Sequence, residues 1–204
     1  MPGELEIAEP DVAPKRRAAE RVSAAADRLF YERGIRAVGV EEIVATAGVT
    51  KPSLYRRYPS KDALVAACLE ARFEQAMANI DAIAALTPDD PAATLRALVA
   101  HVGDEIQKEG YRGCALTNAA IEFPEPDHPT RKLALDLKCR KRTRLLAIAE
   151  RVATDRPDEL VDALILLLEG ARAISHIAGM ARSPAASLTA AADAVLAGFA
   201  RRGD

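Results

Sequence analysis

"EEIVATAGVTKPSLYRRYPSKDAL" occupies residues 41–64. Two short helical stretches meet in it at Ala47-Gly48. Glycine there permits the sharp turn, with φ positive, that a larger side chain resists. Thr50 reads as a helix N-cap, and Pro52 is tolerated only in a first helical turn. Pro59 stops that second helix, and Ser60 caps the next, with Lys61 and Asp62 in its opening turn. Ile43, Val49 and Leu54 can meet as a small core, which leaves Arg56 and Arg57 pointing away from it.

Working outward, the same punctuation divides the whole chain. Residues 1–13 carry breaks and acids with little to bury, and read as a disordered arm. Apolar residues Val22, Ala25, Ala26, Leu29 and Phe30 repeat at helical spacing over about Lys15–Arg33, and Gly34 closes that helix. Glu41–Ala47 is the second helix and Thr50–Tyr58 the third. A long fourth helix runs from Lys61 to about Leu86. Further helices are expected near 91–108, 113–122, 127–154, 158–181 and 185–202. Alanine and leucine dominate, alternating β-branched runs are missing, and about nine helices with no sheet result. The domain division is then 1–13, a helix-turn-helix domain over 14–60, and a larger helical domain over 61–204.

Charge sharpens the reading. The net charge is only -2, but residues 15–61 hold eleven Lys and Arg against five acids, a net of about +6. A basic block on a helix-turn-helix frame is the footprint of phosphate binding. An ordinary helical hairpin with a solvated basic face is the competing reading. On the first, the second helix of the pair lies in the major groove of double-stranded DNA. Lys51 and Ser53 then face base edges, with Pro52 offering apolar contact to a thymine methyl. Tyr55, Arg57 and Lys61 are placed for phosphates, and Arg56 reaches either DNA or solvent.

The stretch "GVEEIVATAGVTKPSLYRRYPSKDAL", led in by "LFYERGIRAVGV", resembles the DNA-binding domain of the TetR (tetracycline-repressor-like) family of transcriptional regulators. The resemblance spans about Arg16–Leu69. It implies phosphate contacts for Tyr55 and Lys61, base-proximal positions for Lys51, Pro52 and Ser53, and a buried aromatic at Tyr58. The sequence departs from the family at Val44, where alanine is usual. It departs again at Val38-Gly39-Val40, which lacks a hydroxyl to cap the second helix. "GYRGCALTNAAIEFPEPDHPTRKLAL" shows a weaker similarity to the effector segment of one branch of the family. The resemblance implies a C-terminal domain that senses a small molecule and dimerises through its last two helices.

The residues themselves are compatible with that second half. Leu164, Leu167, Leu168, Ala171 and His176 on the penultimate helix, with Val195 and Phe199 on the last, mark wide apolar faces suited to a homodimer interface. Closing the monomer's own core is the alternative. A homodimer also suits a short reading helix, since paired copies on a near-palindrome sit about 34 Å apart. Candidate ligand contacts are Cys114, Asn118 and Glu122, of which the last two lie one helical turn apart; local capping or pairing is the other role open to them.

Other classes find little support. There is no GxGxxG, P-loop, HExxH or GxSxG motif, so an enzyme is not expected. Three scattered histidines and three separated cysteines give no metal pattern, no cofactor and no disulfide framework. No apolar run is long enough to span a membrane. The cysteine usage and the acid-rich N-terminus point to the cytoplasm. The expectation is a DNA-binding repressor released from its operator by a small-molecule effector, or one acting by occupancy without an effector.

Overall fold

The computed structural model describes residues 12–153, 155–175 and 184–199. The described residues form nine α-helices and no strand: α1 Val12–Arg33, α2 Val40–Ala47, α3 Lys51–Tyr55, α4 Lys61–Leu86, α5 Pro91–Glu105, α6 Ala115–Glu122, α7 Pro129–Ala149, α8 Pro157–Ile174 and α9 Pro184–Phe199. The all-helical expectation holds. The chain divides into two compact units, one through Cys68 and one from Leu69 onward, with the division inside α4.

In the first unit, Val22, Ala26, Leu29 and Phe30 of α1 are buried with Val38, Ile43, Ala47, Leu54 and Leu64. Gly48 has φ 61°. Its N–H bonds the Ala45 carbonyl at 3.2 Å, and the Val49 N–H bonds the Val44 carbonyl at 3.0 Å. That crossed pair is the Schellman closure, and it satisfies carbonyls that α2 would otherwise leave bare. Gly39 opens α2 with no side-chain cap, as the missing hydroxyl at this junction requires.

Two details differ from the sequence reading. Thr50 stands at the N-cap of α3, but its hydroxyl caps nothing; its backbone carbonyl instead accepts from Ser53 and Leu54 at 3.0 and 3.1 Å. The third helix also ends at Tyr55, because the Arg57 and Tyr58 N–H groups both turn onto the Leu54 carbonyl at 2.9 Å. Ser60 does cap α4, accepting from the Ala63 N–H at 3.0 Å.

The second unit is a helical body whose core includes Leu95, Val99, Leu145, Ile148, Leu160, Leu164, Leu188 and Leu196. Four of its helices, α5, α7, α8 and α9, begin on a proline. Prolines that read as breaks therefore act as starts, since a first-turn proline lacks only an N–H that has no helical partner anyway. Asp90 and His128 accept from the Ala93 and Thr130 N–H groups at 2.8 and 3.2 Å, capping α5 and α7. Gly113, with φ 84°, lies outside α6 and holds its start at Ala115, later than expected.

Candidate nucleic-acid interface

A five-residue helix cannot hold itself in water. α3 is fixed by Leu54, which is fully buried, and by Tyr58 just beyond its end. The Tyr58 hydroxyl shares a 2.6 Å hydrogen bond with the Ser23 hydroxyl of α1. The Arg21 guanidinium donates to the Gly48 carbonyl at 3.3 Å, tying the turn to α1. With Leu54 and Tyr58 turned inward, Lys51, Pro52, Tyr55, Arg56 and Arg57 are left exposed, and Ser53 half-exposed. The sequence reading expects these side chains to point away from the core, and their exposure agrees with that.

Three contacts refine that surface. The Lys51 ammonium pairs with the Glu41 carboxylate of α2. The hydrogen bond and the pairing hold the lysine above its ordinary range and the glutamate below its own. Arg56 donates to the Ser53 hydroxyl at 3.2 Å. Arg57 stacks over Tyr58 at 5.3 Å, and the Lys61 ammonium lies 5.9 Å from the Phe30 ring centre. Glu41 is the residue that sequence reasoning missed: it reads as a helix-dipole acid, and only the turn at Gly48 brings it to Lys51.

In the second unit, the sequence-predicted ligand residues separate. Cys114 lines a cavity of about 40 Å³ among α6, α7 and α8. Asn118 does not line it; it is exposed and donates to the Arg112 carbonyl at 2.7 Å. Glu122 is half-buried and does not line it either. Five charged groups unassigned by the sequence reading do: Lys138, Lys141, Arg142, Glu169 and Arg172. The Thr117 hydroxyl donates to Glu169 at 2.6 Å, and the Lys138 ammonium donates to Thr117 at 2.6 Å. Lys138 and Arg172 both pair with Glu169, at 3.1 and 3.2 Å. Burial pushes the Glu169 carboxyl up, but Thr117, Lys138 and Arg172 prevail and hold it below its ordinary range.

The expected dimer residues also redistribute. Leu164, Leu168 and Ala171 are buried in the chain's own core, and Leu167, Val195 and Phe199 pack against it. The apolar face of α8 is consumed internally, because it meets α7 and α9. What α8 leaves exposed is Leu166, at 74%, and Ile174. His176 lies outside the described residues. Among the described residues, no group of three or more His, Cys, Asp or Glu is arranged to hold a metal, and no helix is long and apolar enough to cross a membrane.

Two helices closed by a glycine turn, the second presenting basic and hydroxyl side chains from an apolar anchor, define a helix-turn-helix DNA-binding protein. The family model for bacterial regulatory proteins of the tetR family matches residues 23–68. A TetR-family transcriptional regulator from Streptomyces coelicolor is 28% identical and superposes with a TM-score of 0.85, over 91% of this chain and 97% of that one. A TetR-type regulator of Streptomyces avermitilis is 30% identical with a TM-score of 0.65, over 86% of this chain and 98% of that one. The chain belongs to the TetR family of transcriptional regulators. The transcriptional activator FasR of Mycolicibacterium smegmatis is 37% identical over 90 residues, which is 43% of this chain and 41% of that protein's length.

Proposed function

We propose that the protein is a cytoplasmic homodimeric repressor that leaves a near-palindromic operator when a small molecule occupies its C-terminal domain. Residues 14–60 form the reading domain, and residues 61–204 bind the ligand and dimerise. Lys51, Pro52 and Ser53 approach base edges, while Tyr55, Arg57 and Lys61 hold phosphates. The observation that carries this reading is the outward row on α3, held at a fixed angle by Leu54 and Tyr58. Lys51 leaves Glu41 on binding, an exchange between two solvated partners that costs little.

The second copy docks on the outward stripe of α8. Leu166, Gly170, Ala173 and Ile174 share one helical face. Nothing lies within 4 Å of a Cβ built on Gly170, so a partner helix can approach there. A Leu166→Glu variant is expected to sediment as a monomer and to lose most operator affinity, since half a site is left. A dimer unaffected by it would place the interface elsewhere.

Salt titration of the DNA complex tests the main reading. Binding to an operator fragment is expected to weaken linearly in log–log form, with a slope near -0.9 for each phosphate neutralised. No saturable binding at low salt to any fragment carrying a near-palindrome would end it. An activator is the second reading, favoured by the FasR similarity; in vitro transcription from the bound promoter separates the two by sign.

A further inference from the structure

The cluster around Glu169 is short of negative charge. Three cations, Lys138, Lys141 and Arg172, line the cavity beside one carboxylate, and that carboxylate already pairs with Lys138 and Arg172. Arg142 also reaches the cavity wall, but Asp158 and Asp162 neutralise it at 2.9 and 2.7 Å. A neighbouring cavity of about 60 Å³ shares Lys141 and Arg172 and adds one acid, Glu105, whose carboxylate lies 3.7 Å from His101. The Lys141 ammonium has no hydrogen-bond or ion-pair partner among the described residues. A cation in such a place is costly unless something pairs with it.

Two further facts agree with a positive potential at this spot. Burial, and then the nearby Arg172 guanidinium, push the Lys141 ammonium below its ordinary range, although Cys114, Glu169 and Glu105 favour its charge. At the rim, burial and Glu169 push the Cys114 thiol up, yet Arg172, Lys138 and a backbone N–H prevail and hold it low. The rest of the wall is apolar, with Leu116, Leu145, Ile165 and Leu168. The cavity and its neighbour, about 40 and 60 Å³, each exceed the 10–15 Å³ or so that a single water needs and suit a carboxylate with a short hydrocarbon body.

We infer that this cavity takes a small monocarboxylate with an apolar body, its carboxylate seated between Lys141 and Arg172. One negative charge matches Lys141, a cation without a pair among the described residues, and the leucine-rich wall receives the hydrocarbon. The carboxylate also separates two like charges that otherwise repel. The inference deepens the repressor reading, since it names the chemical class of the effector.

Thermal unfolding of the full chain with acetate, propionate and butyrate at constant ionic strength tests this, with 1-butanol and butylamine as matched controls. A ligand bound only by the folded state raises the unfolding temperature saturably. The carboxylates are expected to do so and the alcohol and amine are not. Lys141→Met is expected to weaken carboxylate binding by about 10- to 100-fold, the size of one lost charged hydrogen bond. Lys141→Arg is expected to keep it. Equal stabilisation by butyrate and butanol, none from either, or full affinity in a folded Lys141→Met overturns the inference. The wild-type comparison decides by itself should the methionine variant not fold. A mobility shift run with no carboxylate present tests the repressor reading separately, so the two failures are distinguishable.

Discussion

Lysine meets glutamate in both units, under opposite conditions. At the exposed face of α3 Lys51 pairs with Glu41 in open solvent, and side-chain exposure is 48% and 73%. In the second unit Lys138 pairs with Glu169 at 29% and 28% exposure, beside a buried Arg172 and Lys141, which has no pair among the described residues. Water screens the first pair, so its partners exchange at little cost and a phosphate or base can replace the acid. Partial exclusion of water makes the second set stiff: every charge there must keep a partner or gain one. The same residue types therefore suit a surface that can swap partners and a half-buried cluster that holds them.

The largest expected effect removes the anchor that makes the outer surface a surface. Leu54→Ala should cost about 3 kcal/mol, since the side chain is fully buried and the site is small. Thermal unfolding would show it, and DNA binding would fall with the population of ordered α3. A change below about 1 kcal/mol would mean that α3 is held by something other than its interior contact.

Next comes Glu169→Gln, which should destabilise by about 2 kcal/mol because it leaves Lys138 and Arg172 without their shared acid. Its pH dependence has a definite sign. The folded carboxyl is held below its ordinary range, so its contribution is present above the unfolded value and is lost as pH falls through the folded one. Wild type and variant should therefore differ at neutral pH and converge in acid, below the ordinary glutamate range. A gap that stays constant into acid would remove the charge from the explanation.

Glu41→Gln should have the smallest effect. Stability should not change measurably, because the pair is solvated. Low-salt operator affinity should instead rise modestly, as Lys51 no longer has to leave an acid and one anion near the phosphates is gone. Weaker binding in this variant would mean that Glu41 aims Lys51 at its base.

Much of the first unit was legible in the sequence because its signals are local. Gly34, Gly48, Pro59 and Ser60 mark turns by backbone rules that act within a few residues. Leu54 and Tyr58 sit one turn apart, which fixes the outward row by subtraction. The end of α3 was misjudged because nothing in "YRRY" forbids another helical turn. The interior cluster was hidden for a different reason. Within "LKCRKRTRLL" of α7, Lys138 and Lys141 look like part of a solvated basic face. They become half-buried cavity-lining groups only where α7 meets Glu169 and Arg172 of α8. Cys114, chosen as a polar group among apolar helices, lines the cavity; Asn118, four residues on, turns out toward the Arg112 carbonyl instead. The apolar residues of α8 showed that a face is buried but not against what.

Selection of bound sequences from random duplex DNA, with wild type, Lys51→Ala and Lys61→Ala in parallel, tests the central claim most directly. The account predicts a near-palindrome whose half-sites lie about one helical turn, 34 Å, apart. Lys51→Ala should relax the preference at one position in each half-site, by about 10-fold against the competing base. Lys61→Ala should select the same motif with affinity lowered alike on all sequences and a salt slope smaller by about 1. No enriched motif for the wild type, or an unchanged motif at full affinity for Lys51→Ala, would contradict the assignment of α3 as the element that reads DNA.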